Sequence, residues 1–167
     1  MPVLSLSIGS NIEPARHIRL ALQALREKFP NLRCSRVYES EAIGFDGANF
    51  LNLAVVADTS LELAEISSYL KGIENGLGRD RRQPKFSGRS MDIDILTFGA
   101  DTGVSCNVQL PRPEITRNAF VLQPLAELLP EQLDPASGKT YRQLWAEFDK
   151  SSQRLWPVEF EWLDAAV

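Results

Sequence analysis

Leu4, Leu6 and Ile8 alternate with Ser5 and Ser7 near the start of the chain, the period-two pattern of a β-strand, and Gly9-Ser10-Asn11 marks its end. Pro14 suits the first turn of a helix. Ile18, Ala21, Leu22, Leu25 and Phe29 then recur at helical spacing until Pro30 stops it. Strand-like runs follow at 33–40 and 50–57, joined by a loop containing Gly44 and Gly47, and they are expected to pair antiparallel. Thr59 with Glu62 reads as a capping box, and Leu63, Ile66, Leu70, Ile73 and Leu77 trace the buried stripe of a second helix, ended by Gly76 and Gly78. Met91, Ile93 and Ile95 alternate with Asp92 and Asp94 in a further strand.

This order, strand-helix-strand-strand-helix-strand, predicts an α+β fold with a ferredoxin-like βαββαβ core, both helices on one face of the sheet and the other face open for a site. Beyond Phe98 the pattern is less regular. It contains Pro111, Pro113, an apolar segment at 119–129, and a helix opened by Thr140 with Gln143 as its box partner and anchored by Tyr141, Leu144, Trp145 and Phe148. These predict additional C-terminal helices and strands around the core. No repeat or composition break divides the chain, so 1–167 is expected to form a single domain, and 167 residues with 44% hydrophobic content suffice for a real core.

Composition narrows the function classes. No apolar run approaches the ~20 residues of a membrane span, and the start of the chain lacks a basic region followed by an apolar stretch, so a cytoplasmic protein without membrane contact is expected. A formal charge of -4 argues against a general nucleic-acid binder. Cys34 and Cys106 are too few for a disulfide framework and read as small buried hydrophobes. The single histidine, His17, lies on the first predicted helix and is not favoured as a catalyst, and Gly9-Ser10-Asn11 reads as a structural turn before an anion site. The chain is expected to be monomeric.

Charge is distributed unevenly, and that changes the picture. Arg79, Arg81, Arg82, Lys85 and Arg89 fall within eleven residues, directly before Asp92 and Asp94. Strand alternation puts both carboxylates on one face, roughly 6.5–7 Å apart. Such a pair has bland explanations, either a solvent-facing edge strand or ion pairs to the nearby arginines. The segregation of a basic run beside an acidic pair favours a magnesium and phosphate site: magnesium takes oxygen ligands, keeps several waters and bridges carboxylates to phosphates, while arginines neutralise a transferring phosphoryl group. No Walker-type loop or Gly-x-Ser-x-Gly motif competes with this reading.

Nearly the whole chain resembles the 6-hydroxymethyl-7,8-dihydropterin pyrophosphokinase family of folate biosynthesis. The resemblance is carried by Ile8-Gly9-Ser10-Asn11, Tyr38-Glu39-Ser40, Phe50-Leu51-Asn52, Ile73-Glu74, Arg89-x-x-Asp92-Ile93-Asp94-Ile95 and Ala119-Phe120-Val121-Leu122-x-Pro124-Leu125. It implies a ferredoxin-like fold and ATP-dependent pyrophosphoryl transfer to the hydroxymethyl group of the reduced pterin, releasing AMP, with two Mg2+ ions held by Asp92 and Asp94. It further implies that Arg79 and Arg89 act on the transferring phosphates, that Arg81 and Arg82 lie on a basic loop closing over ATP, and that Lys71, Glu74, Ile95 and Arg112 belong to the nucleotide site. Ser40, Ile43, Phe50, Asn52, Phe86 and Phe120 are implied for the pterin, with the Asn52 amide reading the heterocycle edge and Phe50 and Phe120 near the ring; without the resemblance the two phenylalanines read as ordinary core.

Several positions depart from the family pattern. Phe86-Ser87-Gly88-Arg89 stands for Trp-Gly-Pro-Arg, Pro111-Arg112-Pro113 replaces a histidine by arginine, Asn118 stands where an arginine is usual, with Arg117 one place earlier, and Glu41-Ala42 replaces prolines. These raise the alternatives of a divergent magnesium-dependent phosphotransferase or pyrophosphotransferase with another acceptor, or of a non-catalytic binding paralogue.

Overall fold

A computed structural model describes residues 1–41, 48–77 and 91–162. The core is βαββαβ: β1 (Val3–Ser10), α1 (Pro14–Lys28), an edge run divided into β2 (Arg33–Cys34) and β3 (Val37–Ser40), β4 (Phe50–Asp58), α2 (Leu63–Gly76) and β5 (Asp92–Phe98). A hairpin of β6 (Gly103–Ser105) and β7 (Val108–Leu110) follows, then a 3-10 turn at Pro113–Thr116, α3 (Ala119–Leu128), α4 (Tyr141–Glu147) and β8 (Leu155–Val158). The sheet runs β5-β1-β4-β3-β8, with β2 also on β4, and its pairs are antiparallel. The first four strands of that order are those of a ferredoxin-like sheet, to which β8 adds a C-terminal edge.

Alternation along β1 and β4 decides the faces. Leu4, Leu6, Ile8, Leu53, Val55 and Ala57 bury against Ile18, Leu22 and Leu25 of α1 and Ile66, Leu70 and Ile73 of α2. Each of the leucines, isoleucines and Val55 contributes about 1.5–3 kcal/mol when fully buried. Pro14 does open α1, and Arg26 and Lys28 occupy its last turn, where the helix dipole favours cations. His17, buried, shares a 2.6 Å hydrogen bond between its Nδ1 and the Ile12 carbonyl, a structural tie across the β1–α1 turn.

The opposite face is not left open. A second apolar cluster of Leu96, Ile115, Val121, Leu122, Leu125 and Tyr141 covers much of it with α3 and α4. A polar lock holds α3 there: Tyr38, fully buried, donates its hydroxyl to Glu127 Oε1 at 2.6 Å, while the Arg36 backbone N–H donates to Glu127 Oε2 at 2.8 Å. Burial first, and then the Glu127 carboxylate, push the Tyr38 phenol up to about 12.

Three local expectations are corrected. The 33–40 run is interrupted at Ser35, whose hydroxyl accepts from the Ala54 N–H at 2.9 Å and whose N–H donates to the Ala54 carbonyl at 2.9 Å. Pairing moves from Cys34 opposite Val55 to Tyr38 opposite Asn52, so one extra residue bulges from the edge. The Thr59–Glu62 capping box does not form; α2 begins at Leu63 with Glu62 as its cap residue, and Thr59 Oγ1 instead accepts from Leu61 N at 3.1 Å. Cys106 is exposed at the hairpin tip beside Asn107, both with positive φ, and Cys34 is only half-buried. The Thr140–Gln143 box on α4 is present in full.

Glu127→Ala removes the acceptor of the buried Tyr38 hydroxyl and is expected to cost about 1–3 kcal/mol in chemical denaturation. Unchanged stability would show that the lock does not hold α3 to the sheet.

Candidate functional site

Directly opposed residues of antiparallel neighbours share a sheet face. Tyr38 lies opposite Asn52, Asn52 opposite Gly9, and Gly9 opposite Asp92, so these four form one row across β3, β4, β1 and β5. Gly9 is needed in that row: a Cβ on it would lie 3.0 Å from Asn52 Oδ1 and 3.8 Å from the Phe50 ring. The Asn52 side chain therefore lies flat over β1, where it donates from Nδ2 to Ser40 Oγ at 2.7 Å. Ser40 and Asn52 are both buried, and Phe50, opposite Ser40, shares their face. One step along β5, Asp94 lies opposite Ser7 on the same face as Asp92.

Two clefts flank this row. One, of about 210 Å³, opens at the free edge of β5 between α2 and the β6–β7 hairpin, and it brings together Lys71, Glu74, Asp94, Ile95 and Arg112. The other, of about 360 Å³, lies between β3, the first turn of α3 and the segment before β8, and it includes Ser40 and Phe120. Lys71, Glu74, Ile95 and Arg112, expected for the nucleotide, thus meet in the first cleft, and Ser40 and Phe120, expected for the pterin, in the second, while Asp92, Asn52 and Phe50 line neither. Ile43, Arg79, Arg81, Arg82, Phe86 and Arg89 lie outside the described residues.

Carboxylates dominate the β5 edge. Glu74, buried on α2, reaches round the sheet and accepts from the Ile93 backbone N–H at 2.9 Å, occupying a main-chain donor that the edge strand would otherwise present. Arg112 Nη2 lies 3.6 Å from Asp94 Oδ1, and its Nε lies 3.0 Å from Glu114 Oε2 in an ion pair that is not aligned as a hydrogen bond. Burial pushes the Asp94 carboxyl up to about 6; Arg112 opposes the shift, while Asp92, Glu74 and Glu114 add to it. The Asp94 side chain is 44% exposed, so solvent screening tempers this shift.

Asp92 and Asp94, carboxylate oxygen donors on one face of the sheet, suit a divalent cation. Among the described residues no group of three or more histidine, cysteine, aspartate or glutamate side chains is arranged to hold a metal, so an ion here would complete its shell with water and substrate oxygens. Sequence reasoning missed Glu114, Ser67 and the hairpin residues Cys106 and Asn107, which line or adjoin the 210 Å³ cleft. The Arg112-Pro113-Glu114 run was the available signal for Glu114; nothing local marked the hairpin as a cleft wall.

The family described as 7,8-dihydro-6-hydroxymethylpterin-pyrophosphokinase (HPPK) matches residues 5–130. The chain belongs to this family. It is 32% identical over 155 residues to the 2-amino-4-hydroxy-6-hydroxymethyldihydropteridine pyrophosphokinase of Bacillus subtilis, covering 90% of this chain and 88% of that protein. With the enzyme of the same name from Aquifex aeolicus it shares 32% identity over 149 residues, 88% of this chain and 92% of that one. The Synechocystis sp. relative is 36% identical over 126 residues, 75% of this chain but only 63% of that protein's length. Among solved structures, wild-type Plasmodium falciparum HPPK-DHPS superposes with a TM-score of 0.65 at 16% identity over 87% of this chain, which spans 41% of that one, and this likeness shows the fold alone. Family membership is as expected, and the alternatives of a divergent phosphotransferase or a non-catalytic paralogue, raised from Phe86, Arg112 and Asn118 among other departures, are not favoured: the match to HPPK family members runs at 32–36% identity over most of the chain.

The raised Asp94 carboxyl gives a signed prediction for the metal-free chain. Between the ordinary 3.8 and about 6 the native state holds a proton that the unfolded chain has released, so Asp94 lowers stability as pH rises through that window. Asp94→Asn is therefore expected to gain stability relative to the unsubstituted chain from the lower to the upper end of the window and to level off above it, in urea denaturation at a series of pH values. A pH-independent difference would contradict this account.

Proposed function

We propose that this chain transfers the pyrophosphoryl group of ATP to the hydroxymethyl group of 6-hydroxymethyl-7,8-dihydropterin, releasing AMP, in folate biosynthesis. The reading is supported above all by the row Asn52, Gly9 and Asp92, which brings a heterocycle-reading amide within two strand spacings, ~9.6 Å, of a carboxylate suited to magnesium. Family membership adds the reaction, which the relatives of similar length are named for.

In this reaction the pterin hydroxyl oxygen bonds to the β-phosphorus of ATP, the bond from that phosphorus to the oxygen bridging it to the α-phosphate breaks, AMP leaves, and the hydroxyl proton is released. Asp92 and Asp94 would hold two Mg2+ ions, which when bound neutralise the phosphate charge and align the attacking and leaving oxygens. Glu74, fixed on Ile93, holds the β5 edge in place so that Asp92 and Asp94 keep their spacing. Lys71 and Ile95 form the nucleotide wall with Glu74, and Arg112 can exchange Asp94 for a phosphate when nucleotide arrives. Arg79, Arg89, Arg81 and Arg82 are assigned to the phosphates, and Ile43 and Phe86 to the pterin side, from the sequence resemblance. Ser40 orients the Asn52 amide toward the pterin edge, with Phe50 and Phe120 supplying the apolar faces of a flat ring.

Two apolar clusters on opposite faces of one sheet support reading 1–167 as a single domain. Among the described residues no helix is long and apolar enough to cross a membrane, which accords with a cytoplasmic reaction. We read the chain as a monomer.

Incubation with ATP, magnesium and 6-hydroxymethyl-7,8-dihydropterin should release AMP in step with pterin consumed. No AMP at high protein concentration would refute the assignment. Asp92→Ala should lower kcat by roughly three orders of magnitude or more while the circular dichroism spectrum is retained. Full turnover in that variant would reject the metal role.

A further inference from the structure

Helix α3 carries Phe120 in its first turn but has no side-chain cap of its own; Asn118, its cap residue, makes no such bond. The cap comes from far along the chain. Gln153 Oε1 accepts from the Ala119 backbone N–H at 2.7 Å, and its Nε2 donates to the Arg117 carbonyl at 2.8 Å and to Asn118 Oδ1 at 3.4 Å. One side chain thus grips the α3 entrance by both an orphan donor and a carbonyl.

The segment that bears Gln153 is also a wall of the 360 Å³ cleft, beside Ser40 and Phe120. Two residues on, Leu155 opens β8 opposite Ser40, and Ser40 holds the Asn52 amide at 2.7 Å. Gln153 therefore stands between the two sides of that cleft, tied to the Phe120 side through Ala119 and to the Ser40–Asn52 side through β8. Apolar packing of Val121, Leu122 and Leu125 and the Glu127 lock hold α3 along its length, and Gln153 is the polar tie at its first turn, beside Phe120, where the separation from the Ser40–Asn52 side is set.

We propose that Gln153 is a positioning residue for the pterin, setting the separation of Phe120 from Ser40 and Asn52. This rests on the pterin-pyrophosphokinase reading of the cleft. A flat ring held between an aromatic face and an amide edge tolerates little widening, since a shift near 1 Å in a positioning group can lower effective alignment by large factors. Helix capping alone would act on stability, whereas bridging acts on ligand affinity, and the two can be separated.

The test is a fluorescence titration of 6-hydroxymethyl-7,8-dihydropterin in the presence of magnesium and an ATP analogue with a methylene between the α- and β-phosphates. Gln153→Ala should raise the pterin Kd about tenfold and leave the affinity for the analogue alone unchanged. Placing Asn118→Asp in the Gln153→Ala background supplies a local charged cap to α3, which should restore Tm without restoring pterin affinity. Normal pterin affinity in Gln153→Ala, or recovery of affinity together with Tm in the double variant, would overturn the inference and leave Gln153 a helix cap. Failure of the unsubstituted chain to bind the pterin would overturn the proposed function, and this inference with it.

Discussion

The antiparallel pairing of β1 with β4 on one side and β5 on the other is the constraint on which the site depends. Leu4, Leu6 and Ile8 must face the helices, and this fixes the register of both neighbours. A one-residue slip of β5 would turn Ile93 and Ile95 outward and bury Asp92 and Asp94 among apolar side chains, at a prohibitive desolvation cost. The hydrophobic pattern that folds the sheet therefore also sets the aspartates, Gly9 and Asn52 in one row. Gly9 matters by what it lacks: an added Cβ would lie 3.0 Å from Asn52 Oδ1 and press the amide off the surface it lies on by a few tenths of an ångström.

Electrostatics explains what the row is prepared to accept. Glu74 anchors the edge of β5 by taking the Ile93 N–H, but it also brings a carboxylate close to Asp94, as does Glu114, and both work against Arg112 at the Asp94 carboxyl. Crowded carboxylates of this kind carry a standing cost in the metal-free state. A cation bound there, as the proposed function requires, would remove that cost. The phenol of Tyr38, at the other end of the row, shows the opposite arrangement, a neutral group kept neutral by burial and by Glu127.

Much of this was legible in the sequence where the signal was local. Periodicity placed α1, α2 and β5, the Thr140–Gln143 pair marked α4, and the alternation at 91–95 put Asp92 and Asp94 on one face. Local signals failed where a distant partner decided the outcome. Thr59 turned to Leu61, so the expected box never formed, and Ser35 exchanged bonds with Ala54, splitting an edge run that reads as continuous. The crossing of α3 to the second face is held by Tyr38 and Glu127, residues far apart in sequence, and the cap on its first turn comes from Gln153. Glu114 entered the site only because the turn after β7 folds it back toward Arg112.

In the proposed reaction the aspartates and the Asn52 amide serve one centre. Relaxation of pterin protons by Mn2+ measures that directly, with Mn2+ replacing magnesium and a methylene-bridged ATP analogue present to hold the complex before reaction. If both groups share one centre, the hydroxymethyl protons of the bound pterin should be strongly broadened, at a metal distance on the order of 10 Å or less, as two strand spacings require. Asp92→Ala should abolish the effect. Pterin resonances unaffected by Mn2+ while those of the nucleotide are broadened would contradict the account, because the metal and pterin sites would then be separate.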